Sequence, residues 1–135
     1  PARANNYKYV QKPGYNNSLG LVKFNFPNNH LVYLHDTNHR DYFAKNFRSL
    51  SSGCVRVENP LILAKQILVK ENAKKWESSE IDYIIKREKT KTVSVKDTVN
   101  IYIFYWTSWL ENNQLQFRED IYTLDKELFE KLRSD

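Results

Sequence analysis

Cys54 is the single cysteine of a 135-residue chain, and it stands in RSLSSGCVRVENP directly after Ser51, Ser52 and Gly53. A thiol of ordinary pKa, about 8.5, is only a few per cent ionised at neutral pH, so acyl chemistry there needs a base. His35, at the end of VYLHDT, is the candidate; His30 and His39 lie close by and compete for the role. A glycine before a nucleophile lets the backbone bend and a substrate carbonyl approach the amide groups of an oxyanion hole. A lone cysteine is more often a small buried hydrophobe, and a lone histidine at a strand end is more often a satisfied polar residue. The combination favours chemistry: a histidine closing one apolar run, a Gly-Cys step downstream, and Arg56 two residues beyond the thiol.

In a locally extended segment Arg56 shares a side with Cys54. It can meet a carboxylate through two parallel hydrogen bonds, or form a structural ion pair with Glu58. Tyr33, two positions before His35, shares its strand face and is either a hydroxyl donor or a core tyrosine. Ser51 and Ser52 can orient His35 or the thiol, and Asp36 and Thr37 read equally as turn formers.

The elements that must position these residues follow from pattern. The opening, PARANNYKYVQKPGYNNSLG, is turn chemistry and reads as loop. Alternation of Val22, Phe24 and Phe26 predicts a strand over 21–26, and a second strand over 31–35 makes FPNN a hairpin connection. Tyr42, Phe43 and Phe47 suggest a helix over 41–47. Asn59 then Pro60 marks a capped helix running to about Lys70, and Ser79 is expected to cap another over 80–87. TKTVSV, VNIYIFYWTSW and LQF read as strands, the last two joined through ENNQ, and a short helix over 125–132 closes the chain. Trp106 and Trp109 are assigned to core packing in preference to a sugar-stacking platform. The whole is α+β with a mainly antiparallel sheet and peripheral helices.

Composition sets outer bounds. With 41% hydrophobic and 27% charged residues, the chain belongs to the globular class and is expected to form one domain over 1–135. The formal charge of +5 favours anionic partners, but lysines interleaved with glutamates and no basic arm argue against nucleic acid. No run of about 18 apolar residues predicts a membrane span. No zinc-ligand spacing, phosphate loop or dinucleotide fingerprint exists, so neither metal nor cofactor is expected.

KPGYNNSLGLVKFNFPN, VYLHDT, AKNFRSLSSGCVRVENP, YWTSW and LQFREDIY together resemble the L,D-transpeptidase catalytic domain, also called YkuD, in its larger periplasmic branch. Much of that family has His where Ser52 stands and Gly where Asp36 stands; the branch with HDT and SSGC has the residues found here. The resemblance implies Cys54 as nucleophile, His35 as base, the amides of Gly53 and Cys54 around an oxyanion, and Tyr33, Ser52 and Arg56 as further contacts. It implies peptidoglycan stem peptides as substrates in the periplasm or cell envelope, 3-3 cross-links as products, and carbapenem-type inhibitors. An L,D-carboxypeptidase would use the same site with water as acceptor, and a non-catalytic cell-wall-binding module would keep only the fold. Several strands precede the PG-x-NN-LG segment in the family, so the chain resembles the second part of such a domain. The strand over 21–26 is then an edge, expected to pair with a second copy or with residues 1–11.

Overall fold

In the computed structural model, which describes residues 7–133, the chain divides into two units, Pro1–Thr98 and Val99–Asp135. Three short strands form the sheet of the first: β1 (Lys23–Phe24), β2 (Leu34–His35) and β3 (Val55–Arg56), in that order. β1 runs antiparallel to β2, and β3 parallel to it. Lys23 and Arg56 both sit opposite His35, while Phe24 and Val55 sit opposite Leu34. Residues paired across strands share a face and neighbours along a strand alternate. Lys23, His35 and Arg56 therefore occupy one face and the apolar trio the other. Pairing continues past the strand ends: Asp36 N–H donates to the Val22 carbonyl (2.8 Å), Val55 N–H to Tyr33 (3.1 Å) and Val57 N–H to His35 (2.8 Å).

These strands are shorter than alternation predicts, and the turn between the first two explains why. The Asn28 amide donates to the carbonyls of Phe26 (3.0 Å) and Val32 (2.8 Å), and its oxygen accepts from the N–H groups of His30 (3.0 Å) and Val32 (3.1 Å). Backbone groups that would otherwise pair across a tight hairpin are taken by this side chain. Leu31 adds a left-handed φ of 55°, so the chain is extended again only near β2. The predicted helix over 41–47 is a five-residue 3₁₀ turn, Arg40–Ala44, ended by the extended Lys45.

α1 (Pro60–Asn72) starts where Asn59-Pro60 places it, though the Asn59 side chain makes no capping bond. α2 (Ser78–Lys86) starts two residues earlier than predicted; Glu77 occupies the cap position and Ser79 lies inside the helix. Lys65 and Asp82 join the two helices at 2.8 Å. Trp76, between them, and Ile81 are the buried hydrophobic residues among those described.

In the second unit β4 (Ser108–Glu111) and β5 (Gln114–Phe117) form the expected hairpin. Asn112 and Asn113 turn it with φ of 50° and 60°, the left-handed pair that matches strand twist. α3 (Leu124–Leu132) follows. TKTVSV and the stretch before Ser108 are not strands. Trp106 is 65% exposed, so its assignment to the core does not hold: no strand among the described residues covers this segment. Tyr102, Phe104 and Trp106 instead stack on one another at 6.3 and 6.1 Å.

The architecture is α+β, with antiparallel pairing at two of its three strand contacts. Among the described residues β1 has β2 on one side only. Of the residues expected to pair with that edge, 1–6 lie outside the described residues and 7–11 form no strand. Gln11 instead holds the following loop, accepting from Ser18 N–H (3.0 Å) and donating to the Asn16 carbonyl (3.1 Å).

Candidate active site

The site grows from the end of β2. His35, Asp36 and Thr37 are buried, an unusual run of three polar residues inside a small unit. The backbone carbonyl of Asp36 meets His35 Nδ1. A carbonyl only accepts, so Nδ1 carries the proton and Nε2 is left as the acceptor nitrogen. One Asp36 carboxylate oxygen receives the Leu21 N–H (2.8 Å) and the Arg40 guanidinium (2.9 Å). It thereby ties the loop before β1 and the 3₁₀ turn to the residue that orients His35. Gly20 makes this approach possible: at φ +60°, a Cβ there would collide with the Asp36 side chain. The Thr37 hydroxyl caps the next turn by accepting from His39 N–H at 3.1 Å.

Cys54 precedes β3 and, one step before the Leu34–Val55 pair, falls beside Tyr33. Hydrogen bonding toward the Cys54 thiol, then burial, then charge on the sulfur push the Tyr33 phenol above its usual range. Tyr33 and His35 rings lie 5.5 Å apart on the same face. Diagonal neighbours on a sheet face are about 7–8 Å apart, within the span of an imidazole and a thiol. Burial lowers the His35 pKa most; the bond it donates to the Asp36 carbonyl opposes this, and Arg56 and Lys23 push it down further. The base candidate is thus neutral at neutral pH.

Gly53 turns the chain into Cys54 with φ +133°. A Cβ there would make only ordinary contact with Val32, at 3.8 Å, so the need for glycine is conformational and not steric. Ser51 braces the turn: its hydroxyl donates to the Cys54 carbonyl at 2.7 Å and accepts a long bond from Gly53 N–H at 3.4 Å. The Cys54 N–H has no partner among the described residues. Ser52, placed with the site from sequence, makes no hydrogen bond among them either; Ser51 takes that bracing role.

Arg56 does not pair with Glu58. Its guanidinium lies 5.2 Å from the centre of the Tyr42 ring, which stacks on His39 at 4.9 Å and 11°. That stack follows from the 3₁₀ turn, where residues three apart eclipse. His39 is therefore engaged with Tyr42, and His30 is exposed in the Asn28 turn. Sequence reasoning missed Lys23, Tyr42 and the Asp36 carbonyl. Lys23 was visible as the polar member of an alternating strand, but only the register sets it opposite His35. Among the described residues no three His, Cys, Asp or Glu side chains gather to hold a metal, and no helix is long and apolar enough to cross a membrane.

A neutral imidazole, a thiol beside a phenol, a free amide at the thiol and a cation on the same face are the parts needed for thiol acyl transfer. The family profile of the L,D-transpeptidase catalytic domain matches residues 1–101. A Haemophilus influenzae protein named "Putative L,D-transpeptidase" is 36% identical over 122 residues, covering 90% of this chain and 24% of that protein. The chain thus spans about a quarter of the length of the curated relative it matches.

Proposed function

Because this chain belongs to the L,D-transpeptidase catalytic domain family, we propose that it is a cysteine acyltransferase of bacterial peptidoglycan, acting on stem peptides in the periplasm or cell envelope. The Cys54 sulfur attacks the carbonyl of the L-centre before a terminal D-residue. His35 Nε2 takes the thiol proton. As the carbon–nitrogen bond breaks, that proton passes to the departing amine and a thioester remains. An amine of a neighbouring stem then attacks the thioester and loses a proton through His35, and the sulfur leaves as the thiol. The product is a 3-3 cross-link.

The oxyanion of each step would lie against the Cys54 N–H and, once released from Ser51, the Gly53 N–H. One such donor is worth roughly two to three powers of ten in rate. Arg56 pairs with a substrate carboxylate. The observation that supports this reading most is the register that sets Cys54 beside Tyr33, on the face that His35 shares.

Mass spectrometry after incubation with a carbapenem tests it. A covalent adduct on Cys54 is expected, and none in Cys54→Ala, whose small thiol-to-methyl change leaves the fold intact. A chain that stays unmodified, or an adduct that survives in Cys54→Ala, sinks the acyltransferase reading. Muropeptide products then separate transfer to an amine from transfer to water.

A further inference from the structure

Lys23 and Arg56 are the two cations opposite His35, one on each side of it. Neither has an acidic partner among the described residues. Each rests on an aromatic ring instead: Lys23 Nζ lies 3.8 Å from the centre of Tyr33, and Arg56 lies 5.2 Å from the centre of Tyr42. An aromatic face positions a cation without neutralising it. The Arg56 Nε is moreover buried without a hydrogen-bond partner, a costly state for a charged donor. Two positioned, uncompensated cations on one face fit an anion.

We propose that Lys23 and Arg56 form a carboxylate subsite astride His35 that receives the terminal α-carboxylate of the acyl-donor peptide. The identity of the peptide rests on the acyl-transfer reading; binding of the carboxylate does not. Geometry favours the terminal carboxylate, because it belongs to the residue that departs and is only three bonds from the attacked carbonyl carbon. Arg56, two positions along the strand from Cys54, stands about 7 Å away at the backbone, a span that link and a guanidinium cover. The subsite would also couple binding to chemistry. The groups facing His35 are Lys23 from β1, Tyr33 and Asp36 from β2 and its end, and Cys54 and Arg56 from β3 and its start. Of these, Lys23 and Arg56 disfavour the imidazolium. A carboxylate between them offsets their charge, so His35 becomes the stronger base when the donor is seated.

Two measurements test the subsite. In the first, the His35 imidazole is titrated by NMR with N-acetyl-D-alanine, with its carboxamide and with inorganic phosphate. The carboxylate should raise the titration midpoint and the carboxamide should not. The response should vanish in Lys23→Gln and Arg56→Gln and persist in Lys23→Arg. No shift with the carboxylate, an equal shift with carboxamide or phosphate, or a shift surviving in both Gln variants overturns the proposal. In the second, Cys54 acylation by a tetrapeptide is compared with that by its terminal carboxamide, and the preference for the carboxylate should fall about tenfold in Lys23→Gln. An unchanged preference overturns the proposal as well. If the wild-type thiol is acylated by neither peptide, the acyl-transfer reading fails, and the NMR response alone decides the subsite.

Discussion

A buried imidazole flanked by cations is a base that stays unprotonated further into acid than a free one. In the proposed mechanism His35 must be neutral to accept the thiol proton, and its pKa lies below the ordinary 6.5. The acid limb of kcat/KM for acylation is therefore expected below pH 6.5; a limb above it would contradict the burial. Stability follows the opposite course. The unfolded chain protonates His35 near its ordinary pKa while the folded chain does not, so this residue costs stability as pH falls below 6.5, until the folded imidazole also protonates. Tyr33→Phe keeps the ring under Lys23 and removes only the hydroxyl on the thiol. We expect kcat/KM to fall about tenfold, the worth of one hydrogen bond to the thiol, and alkylation of Cys54 at neutral pH to slow. An unchanged alkylation profile would leave Tyr33 a packing residue. Cys54, His35 and Tyr33 were legible in the sequence because residue type and strand parity are local properties. Lys23, Tyr42 and the Asp36 carbonyl were not, since each matters only through a partner across the sheet.

The hairpin leading into β2 carries the site, and Asn28 governs its shape. Four hydrogen bonds run through that side chain, two as donor and two as acceptor. At about 0.5–1.5 kcal/mol net for each, and with some compensation from water, Asn28→Ala should lower unfolding stability by about 2 kcal/mol in urea titration. Activity at low denaturant should fall too, because Tyr33 and His35 follow the turn directly. A variant as stable as wild type would show that the strands, and not Asn28, set the register. FPNN was readable as a turn, but two asparagines in sequence do not reveal which one claims the backbone groups of both flanks. The capped start of α1 was readable because proline at a first helical position acts within one residue. The aromatic run before Ser108 was misread as strand: alternation states only that an extended segment would have two faces, and pairing needs a partner that sequence does not name.

Charge belongs to the molecule as a whole, and its distribution bears on function. Cations exceed acids in the unit Pro1–Thr98, which holds the candidate site, whereas acids exceed cations in Val99–Asp135. The unit that holds the thiol thus carries a positive field of its own, from a charge larger than the chain's formal +5. That field attracts an anionic polymer over distances that salt controls, because the screening length is about 10 Å at 0.1 M ionic strength and about 3 Å at 1 M. Encounter with a long wall fragment, bearing many carboxylates, should be steered by the whole field, while a single stem peptide responds mainly to Lys23 and Arg56 nearby. We therefore predict that kcat/KM on polymeric peptidoglycan falls roughly tenfold or more between 0.05 and 0.5 M salt, and on an isolated tetrapeptide distinctly less, with kcat little changed on either. Parallel initial-rate measurements on the two substrates across that range provide the check. Equal salt dependence would mean that only the local cations act. Rates indifferent to salt on both would mean that the positive charge serves solubility and not substrate capture.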